Sequence, residues 1–133
     1  GLGDVYKRQT EEHYMVLGVT IALEAGSQEQ IRAKMEELKE KRVEKQPLEY
    51  PSAGSTFKRP EGYFAGKLIM DAGLRGFQVG GAAVSEKHCG FVINKEKATA
   101  SDVYRLIQEV QQEVYRQFGV KLETEVKMVG DFR

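Results

Sequence analysis

The chain has 133 residues, 41% of them hydrophobic and 30% charged, and its 20 Lys and Arg residues balance its 20 Asp and Glu residues. This length suffices for one compact domain, and the zero net charge excludes the strong basic field typical of nucleic-acid-binding proteins. The single Cys89 excludes an intramolecular disulfide and a cysteine-rich zinc site, and no apolar run approaches the ~20 residues that span a bilayer.

These features predict a soluble, cytoplasmic protein that uses no metal and binds neither nucleic acid nor membrane. The chain begins Gly1-Leu2-Gly3 without an initiator Met, and no charged segment followed by an apolar stretch marks a secretory signal. Residues 1–9 have neither helical nor strand periodicity, and we expect them to be non-native linker residues. The chain is then expected to be a fragment whose amino-terminal part is missing.

The first predicted elements are a strand and a helix. Residues 14–23 (YMVLGVTIAL) are rich in β-branched and apolar side chains, which predicts a mostly buried strand. Ser27 is predicted to cap a helix over residues 28–45, with Gln30 completing a capping box. The charged residues of this helix predict a solvated face. Its apolar positions recur at helical spacing: Ile31, Met35 and Leu38.

The segment over residues 46–60 (QPLEYPSAGSTFKRP) differs from the preceding helix in its proline, glycine and serine residues. It holds all three prolines of the chain, which fix φ and remove backbone donors, so no long regular element is expected across it. Lys58 and Arg59 follow small residues and a hydroxyl, and such cations suit phosphate. The spacing fits neither a P-loop nor a nucleophile elbow. Two interpretations remain open, a proline-bounded connector and a shaped functional loop.

A short helix, a Gly-rich segment and a strand follow. Residues 64–72 predict a helix that ends before Gly73. Its predicted inward face comprises Phe64, Leu68, Ile69 and Ala72. In the segment 77–84, Gly80-Gly81 favours a turn or close backbone packing over a ligand-binding loop. Residues 90–94 (GFVIN) predict a short buried strand.

A second long helix and a last strand complete the pattern. Thr99 and Asp102 resemble a capping box, and Gly119 ends the helix. Its predicted inward stripe comprises Val103, Leu106, Ile107, Val110, Val114 and Phe118. Residues 123–129 (ETEVKMV) alternate between polar and apolar, which predicts a half-buried strand. Three helices and three strands together predict an α+β fold.

Two pairs of reactive side chains invite a chemical interpretation. His88 and Cys89 are adjacent, and adjacent residues on a strand point to opposite faces, so a catalytic dyad is disfavoured and Cys89 is predicted to be a small buried residue. Glu123 and Glu125 share one face of the last predicted strand. They are merely solvated if that face meets water, whereas one of them can act as an acid or electrostatic partner if the face lines a cleft.

Four blocks of the sequence, taken together and in order, resemble one family. They are PSAGSTFKRP, AGKLIMDAGLRGFQVGGAAVSEKHCGFVIN, ATASDVYRLIQEV and FGVKLETEVKMVG. They are similar to the UDP-N-acetylenolpyruvoylglucosamine reductases, also named UDP-N-acetylmuramate dehydrogenases, of bacterial peptidoglycan synthesis. The likeness covers residues 11–130. Because only three residues separate Pro60 from Phe64, the chain resembles the short form of the family, without the extra loop whose Tyr closes over the substrate.

The resemblance implies an oxidoreductase that uses FAD and NADPH. In the family NADPH reduces the flavin, and a hydride then passes to the enolpyruvyl double bond of UDP-N-acetylglucosamine enolpyruvate. Protonation of the resulting enolate-like intermediate gives UDP-N-acetylmuramate. The resemblance implies that Ser55 is the proton donor and that Glu125, rather than Glu123, stabilises the protonated or enolic form of the intermediate. A third catalytic residue of the family, an Arg, belongs to the upstream flavin domain.

The resemblance also implies a set of substrate contacts. Arg59 stands where the family often has an Asn that contacts the diphosphate, a change that keeps the donor and adds charge. Arg75 matches a basic residue in the turn after the short helix. The other implied substrate-binding residues are Lys58, His88 and Lys45.

The implied domain organisation is that of a fragment. Residues 10–46 correspond to the last strand and helix of the FAD-binding domain, and residues 47–133 correspond to the carboxy-terminal substrate-binding domain. No residue of this chain is expected to bind FAD, because the missing region holds most of the cofactor. The chain alone is therefore expected to be inactive and to retain no FAD.

Two other functions compete with this interpretation. A free-standing nucleotide-sugar-binding module without redox activity would bind the UDP-sugar tightly by itself. A structural or protein-interaction domain would bind neither ligand. The clustering of Ser55, Lys58, Arg59 and Arg75 in loop-like segments argues against the latter.

Overall fold

A computed structural model describes residues 17–132 of the chain. The predicted linker at 1–9 lies outside these residues, as do the first three residues of the strand predicted at 14–23. The described chain divides into two units between Met35 and Glu36, and each unit is considered by itself.

The prediction of a strand is wrong for residues 17–23, which have no regular secondary structure. The alternation that suggested it is present, because every second side chain is apolar, but these four side chains are between 72% and 91% exposed. They are Leu17, Val19, Ile21 and Leu23. A strand needs a neighbouring strand to take up its backbone hydrogen bonds, and no described residue pairs with this segment.

Helix α1 spans Gln28–Lys45, as predicted. At its start the Gln30 backbone N–H donates to Ser27 Oγ across a long 3.5 Å. The helix buries none of its residues among the described part of the chain. Its predicted apolar face is about half exposed, at Ile31, Met35 and Leu38. Local ion pairs such as Lys39 with Glu36 support an exposed helix of this kind.

The described chain contains a four-stranded antiparallel sheet. Its strands are β1 (Ser52–Ser55), β2 (Gln78–Val79), β3 (Ala82–Val84) and β4 (Phe91–Asn94), in the order β1-β4-β3-β2. The strand predicted at 90–94 is confirmed as β4. The proline-bounded segment, predicted to lack long regular elements, nevertheless contributes the four-residue edge strand β1. Its pairing with β4 shifts register between Ser52 and Ser55, where Gly54 has a φ of 85°.

The glycine pair Gly80-Gly81 forms the tight turn between β2 and β3. A Cβ added at Gly81 would lie 2.2 Å from the Glu96 carbonyl oxygen and 2.5 Å from the Ala98 nitrogen. The Gly81 carbonyl also accepts hydrogen bonds from the backbone N–H groups of Lys95 and Glu96. The predicted role of this pair, a turn with close backbone packing, is confirmed.

Replacing Gly81 with Ala is expected to destabilise the chain by about 1–3 kcal/mol or more, because the new methyl group meets fixed backbone rather than a movable side chain. Urea unfolding followed by circular dichroism measures the loss. Gly18→Ala is the matched control, since no atom lies within 4 Å of its added Cβ. Equal stability of the two variants would contradict the packing argument.

Two more helices cover the core. Helix α2 spans Ala65–Asp71 and helix α3 spans Ala100–Phe118. The capping box of α3 is confirmed in both directions, since Thr99 Oγ1 accepts from the Asp102 N–H and the Asp102 carboxylate accepts from the Thr99 N–H. Helix α3 packs on strands β2, β3 and β4 and on α2. Its fully buried residues are Leu106, Ile107, Val110 and Val114.

The inward face predicted for the short helix is wrong at one position. Leu68 and Ile69 are buried as expected, but Phe64 precedes the helix as its N-cap and is 61% exposed. Phe118, predicted to end the inward stripe of α3, is likewise 39% exposed. Phe118 lies at the end of α3, where the core no longer covers a whole helix face, whereas Phe64 lies outside its helix.

The strand predicted over 123–129 is reduced to a single antiparallel bridge between Thr124 and Phe57. Two hydrogen bonds flank it, from the Lys58 N–H to the Glu123 carbonyl at 2.8 Å and from the Glu125 N–H to the Thr56 carbonyl at 2.9 Å. Pairing cannot extend far, because Pro60 follows and has no N–H to donate. The predicted alternation holds only as far as Val126, with the two glutamates exposed between buried or half-buried neighbours, whereas Met128 and Val129 are exposed.

A candidate site between strand β1, helix α2 and the carboxy-terminal segment

A cavity of about 550 Å³ opens beside the end of β1. Its walls come from β1 and the residues after it, the start of α2, the turns at 75 and 87–90, and the carboxy-terminal segment. Six of the seven predicted site residues line it: Ser55, Lys58, Arg59, Arg75, His88 and Glu125. Lys45 ends helix α1 and is not among the lining residues, so its substrate contact stays a prediction.

Backbone pairing holds Ser55 and Glu125 near each other. Ser55 ends β1 and pairs with Phe91 of β4. Its neighbour Thr56 is buried, and the Thr56 carbonyl accepts the Glu125 N–H at 2.9 Å. Because side chains alternate along an extended chain, Ser55 faces the cavity while Thr56 faces the interior, where its Oγ1 accepts the Val92 N–H.

The two glutamates of the carboxy-terminal segment have different surroundings. Glu123 lies 3.0 Å from the Lys58 ammonium in an ion pair whose side chains are both more than half exposed. Glu125 lines the cavity together with Ser55, and Glu123 does not. The structure therefore distinguishes the two glutamates by their surroundings, and a chemical role for Glu125 stays a prediction.

The cavity is rich in cations although the whole chain is neutral. Lys58, Lys67 and Lys87 have carboxylate partners in Glu123, Asp71 and Glu49. Arg59 and Arg75 have none within residues 17–132. The Arg59 guanidinium lies over the Phe64 ring, 4.0 Å from its centroid, and Arg75 Nη2 donates to the Met70 sulfur at 3.0 Å. Two guanidinium groups thus remain available to an anionic ligand.

His88 is fixed by its own turn. The Gly90 N–H donates to His88 Nδ1 at 3.1 Å, and the ring makes an edge contact with Phe91. Since Nδ1 accepts this bond, the proton of the neutral imidazole is on Nε2, which is then a donor. The His88 N–H itself donates to Ser85 Oγ, a buried hydroxyl that ties the turn to the sheet.

Cys89 is the small buried residue that was predicted. It is 5% exposed, and burial raises the pKa of its thiol while the nearby Arg75 partly opposes that shift. The thiol is therefore protonated at neutral pH and is a poor nucleophile. His88 does not activate it, because its Nδ1 is engaged by the Gly90 N–H. The two residues lie in a turn that follows β3, and both are among the residues that line the cavity.

Sequence reasoning missed one side of the cavity. Phe64, Lys67 and Met70 line it from the start of α2. Their spacing of three places them on one helix face, away from the buried Leu68 and Ile69. The spacing of three in the sequence is the signal that indicates this second helix face.

A second cavity of about 500 Å³ shares Arg75 and Lys87 with the first. It is lined by neither Ser55 nor Glu125, so of these two cavities the first holds both predicted catalytic residues. Within residues 17–132 no group of three or more His, Cys, Asp or Glu is placed to hold a metal ion. In the same range no helix has the length and apolar character needed to cross a membrane.

Comparison with known proteins gives one consistent family. The family model for the C-terminal domain of UDP-N-acetylenolpyruvoylglucosamine reductase matches residues 46–129. A UDP-N-acetylenolpyruvoylglucosamine reductase of Agathobacter rectalis is 66% identical over 122 residues, which are 92% of this chain and 39% of that protein. The reductase of Caldanaerobacter subterraneus subsp. tengcongensis is 57% identical over 126 residues, or 95% of this chain and 42% of that protein.

A solved structure agrees with the sequence relatives. The crystal structure of UDP-N-acetylenolpyruvylglucosamine reductase from Thermus caldophilus matches with a TM-score of 0.64 and 38% identity. The match covers 78% of this chain and 37% of that one. The chain thus spans about two fifths of the length of the proteins to which it is similar.

Proposed function

Because the chain belongs to the family of UDP-N-acetylenolpyruvoylglucosamine reductase C-terminal domains, we propose that it is the substrate-binding part of such a reductase. The reaction would convert UDP-N-acetylglucosamine enolpyruvate to UDP-N-acetylmuramate for the bacterial cell wall. We place the domain boundary at residues 46–47, where the family match begins. A cytoplasmic location suits a chain whose one cysteine is a free thiol.

One observation carries the proposal: Ser55 and Glu125 line the same cavity, and that cavity also presents cations. The reaction needs a proton donor next to a carbon and a group that stabilises the intermediate. Its substrate carries a diphosphate, which needs positive charge at the binding site. The proton donor, the stabilising group and the positive charge would come from separate segments of the chain that line this one cavity.

Ser55 and Glu125 have different roles in the proposed reaction. Reduced FAD, held by the part of the protein that this chain does not span, would supply the hydride to the enolpyruvyl double bond. Ser55 Oγ gives its proton to the adjacent carbon, and Glu125 stabilises the protonated or enolic form of the intermediate. A hydroxyl is a weak acid, so its competence depends on the position that β1 and the Thr56 pairing give it.

The cations bind and orient the substrate. Arg59 and Arg75, which have no carboxylate partner in residues 17–132, provide planar donor groups for the diphosphate and carboxylate oxygens. Lys58 adds charge beside them although it also pairs with Glu123. His88 Nε2 is a further donor, and Lys45 is assigned a substrate contact only through its family position.

FAD and NADPH are assigned to the part of the protein that this chain does not span. A cavity of about 550 Å³ has the size of a site for one small ligand, so the described residues do not fit FAD beside a UDP-sugar. The exposed apolar side chains of residues 17–23 and of α1 fit the edge of a domain whose remainder lies upstream.

The isolated 133-residue chain is accordingly expected to purify without flavin and to be inactive. The visible absorption spectrum of the purified chain, before and after addition of excess FAD and gel filtration, measures this directly. Near-stoichiometric flavin absorbance after filtration would contradict the assignment of FAD to the missing region.

One observation also favours an alternative function, that of a nucleotide-sugar-binding module. The residues proposed to bind the substrate, apart from Lys45, line one cavity of the described chain, as a nucleotide-sugar-binding module without redox activity would require. Calorimetry of the isolated chain with UDP-N-acetylglucosamine separates the two functions. Sub-micromolar binding would favour the module, whereas a reductase fragment that lacks its flavin domain should bind in the micromolar range or more weakly.

A further inference from the structure

The position of Phe64 has no explanation in the fold. It occupies the N-cap of α2, where its side chain makes no capping hydrogen bond, and a polar residue is strongly preferred there. It is also 61% exposed, although residues of its size and apolarity are usually buried. A residue that breaks two local rules at a cavity wall suggests a role in the site.

The contact that Phe64 does make is with Arg59. The guanidinium carbon lies 4.0 Å from the ring centroid, well within the range of a cation–π interaction. A tight turn brings the two residues together, since the Tyr63 N–H donates to the Pro60 carbonyl at 3.2 Å. Pro60 also fixes the backbone directly after Arg59.

This contact places the guanidinium carbon over the ring, and the N–H donors lie along the edge of the planar guanidinium. No carboxylate in residues 17–132 pairs with these donors. Both residues line the cavity of Ser55 and Glu125. A long, flexible side chain would otherwise lose conformational entropy when a ligand orders it.

We propose that Phe64 is a positioning residue for the anion-binding Arg59, holding its guanidinium ready for the diphosphate of the substrate. The inference rests on the proposed function, because it assumes that Arg59 binds a diphosphate. Phe64 itself touches no phosphate and supplies no charge.

The test uses the full 133-residue chain and two probes, inorganic pyrophosphate and UDP, titrated by two-dimensional NMR. Phe64→Leu is expected to weaken binding of both probes roughly three- to fivefold, the loss of one exposed cation–π contact. It should also remove the ring-current shift of the Arg59 side-chain protons. Phe64→Tyr, which keeps the ring, should bind as the parent chain does. Tyr63→Leu is the matched control, since it removes a neighbouring exposed ring.

A double variant decides whether Phe64 acts through Arg59. In an Arg59→Ala background, Phe64→Leu should have no further effect on either probe. A further loss in that background, or a loss for UDP but not for pyrophosphate, would overturn the proposal, because the ring would then contact the nucleoside. Unchanged binding by Phe64→Leu would overturn it as well. If the parent chain bound neither probe, the anion site of the proposed function would itself be wrong.

Discussion

Ser55→Ala is expected to lower turnover by roughly 10²- to 10⁴-fold, the usual contribution of a general acid, while flavin reduction by NADPH continues. The substitution removes only the hydroxyl that carries the proton. Ser55 is exposed at the end of β1, so the fold should not be affected. The two half-reactions separate because the hydroxyl is needed only when the substrate carbon is protonated.

The measurement needs a complete enzyme. Residues 11–133 joined to the upstream part of the Agathobacter rectalis relative, which is 66% identical over the shared region, provide one. Stopped-flow absorbance follows flavin reduction, and steady-state NADPH oxidation follows turnover. Ser52→Ala is the matched control, because this serine lies in the same strand, is also exposed and does not line the cavity. Turnover of Ser55→Ala within a few-fold of the parent enzyme would refute the proton-donor role.

Glu125→Gln is expected to lower turnover by about 10²- to 10³-fold in the same chimera, with little change in stability. The amide keeps the shape of the side chain but removes the carboxyl group proposed to stabilise the protonated or enolic form of the intermediate. The backbone bond from the Glu125 N–H to Thr56 is unaffected, so the local structure should persist.

Glu123→Gln is a closely matched control for this experiment. Glu123 lies two residues earlier, on the same side of the chain, and is also exposed. Its substitution makes the same chemical change. It removes only the surface ion pair with Lys58, which should cost little. Comparable losses for the two variants would show that Glu125 has no special role. Thermal unfolding of both variants confirms that they are folded.

The sequence predicted well wherever local chemistry decides the structure. The capping box at Thr99 and Asp102 and the stop at Gly119 locate α3 correctly, because caps satisfy backbone groups within one helical turn. The same holds for the Gly80-Gly81 turn. The predicted strands failed at residues 17–23 and 123–129, since a strand depends on a distant partner that the pattern of its own residues does not reveal.

The candidate site likewise has features that the sequence predicts and features that only the tertiary structure shows. The sequence by itself identified the residues with useful chemistry and, through family resemblance, singled out Ser55 and Glu125. Only the tertiary structure decided that Glu125 lines the cavity while Glu123 pairs with Lys58. It also decided that Phe64 faces Arg59 rather than the core. The physical reason is that residue type fixes what a side chain can donate, accept or protonate, whereas its neighbours depend on backbone pairing between segments far apart in the chain.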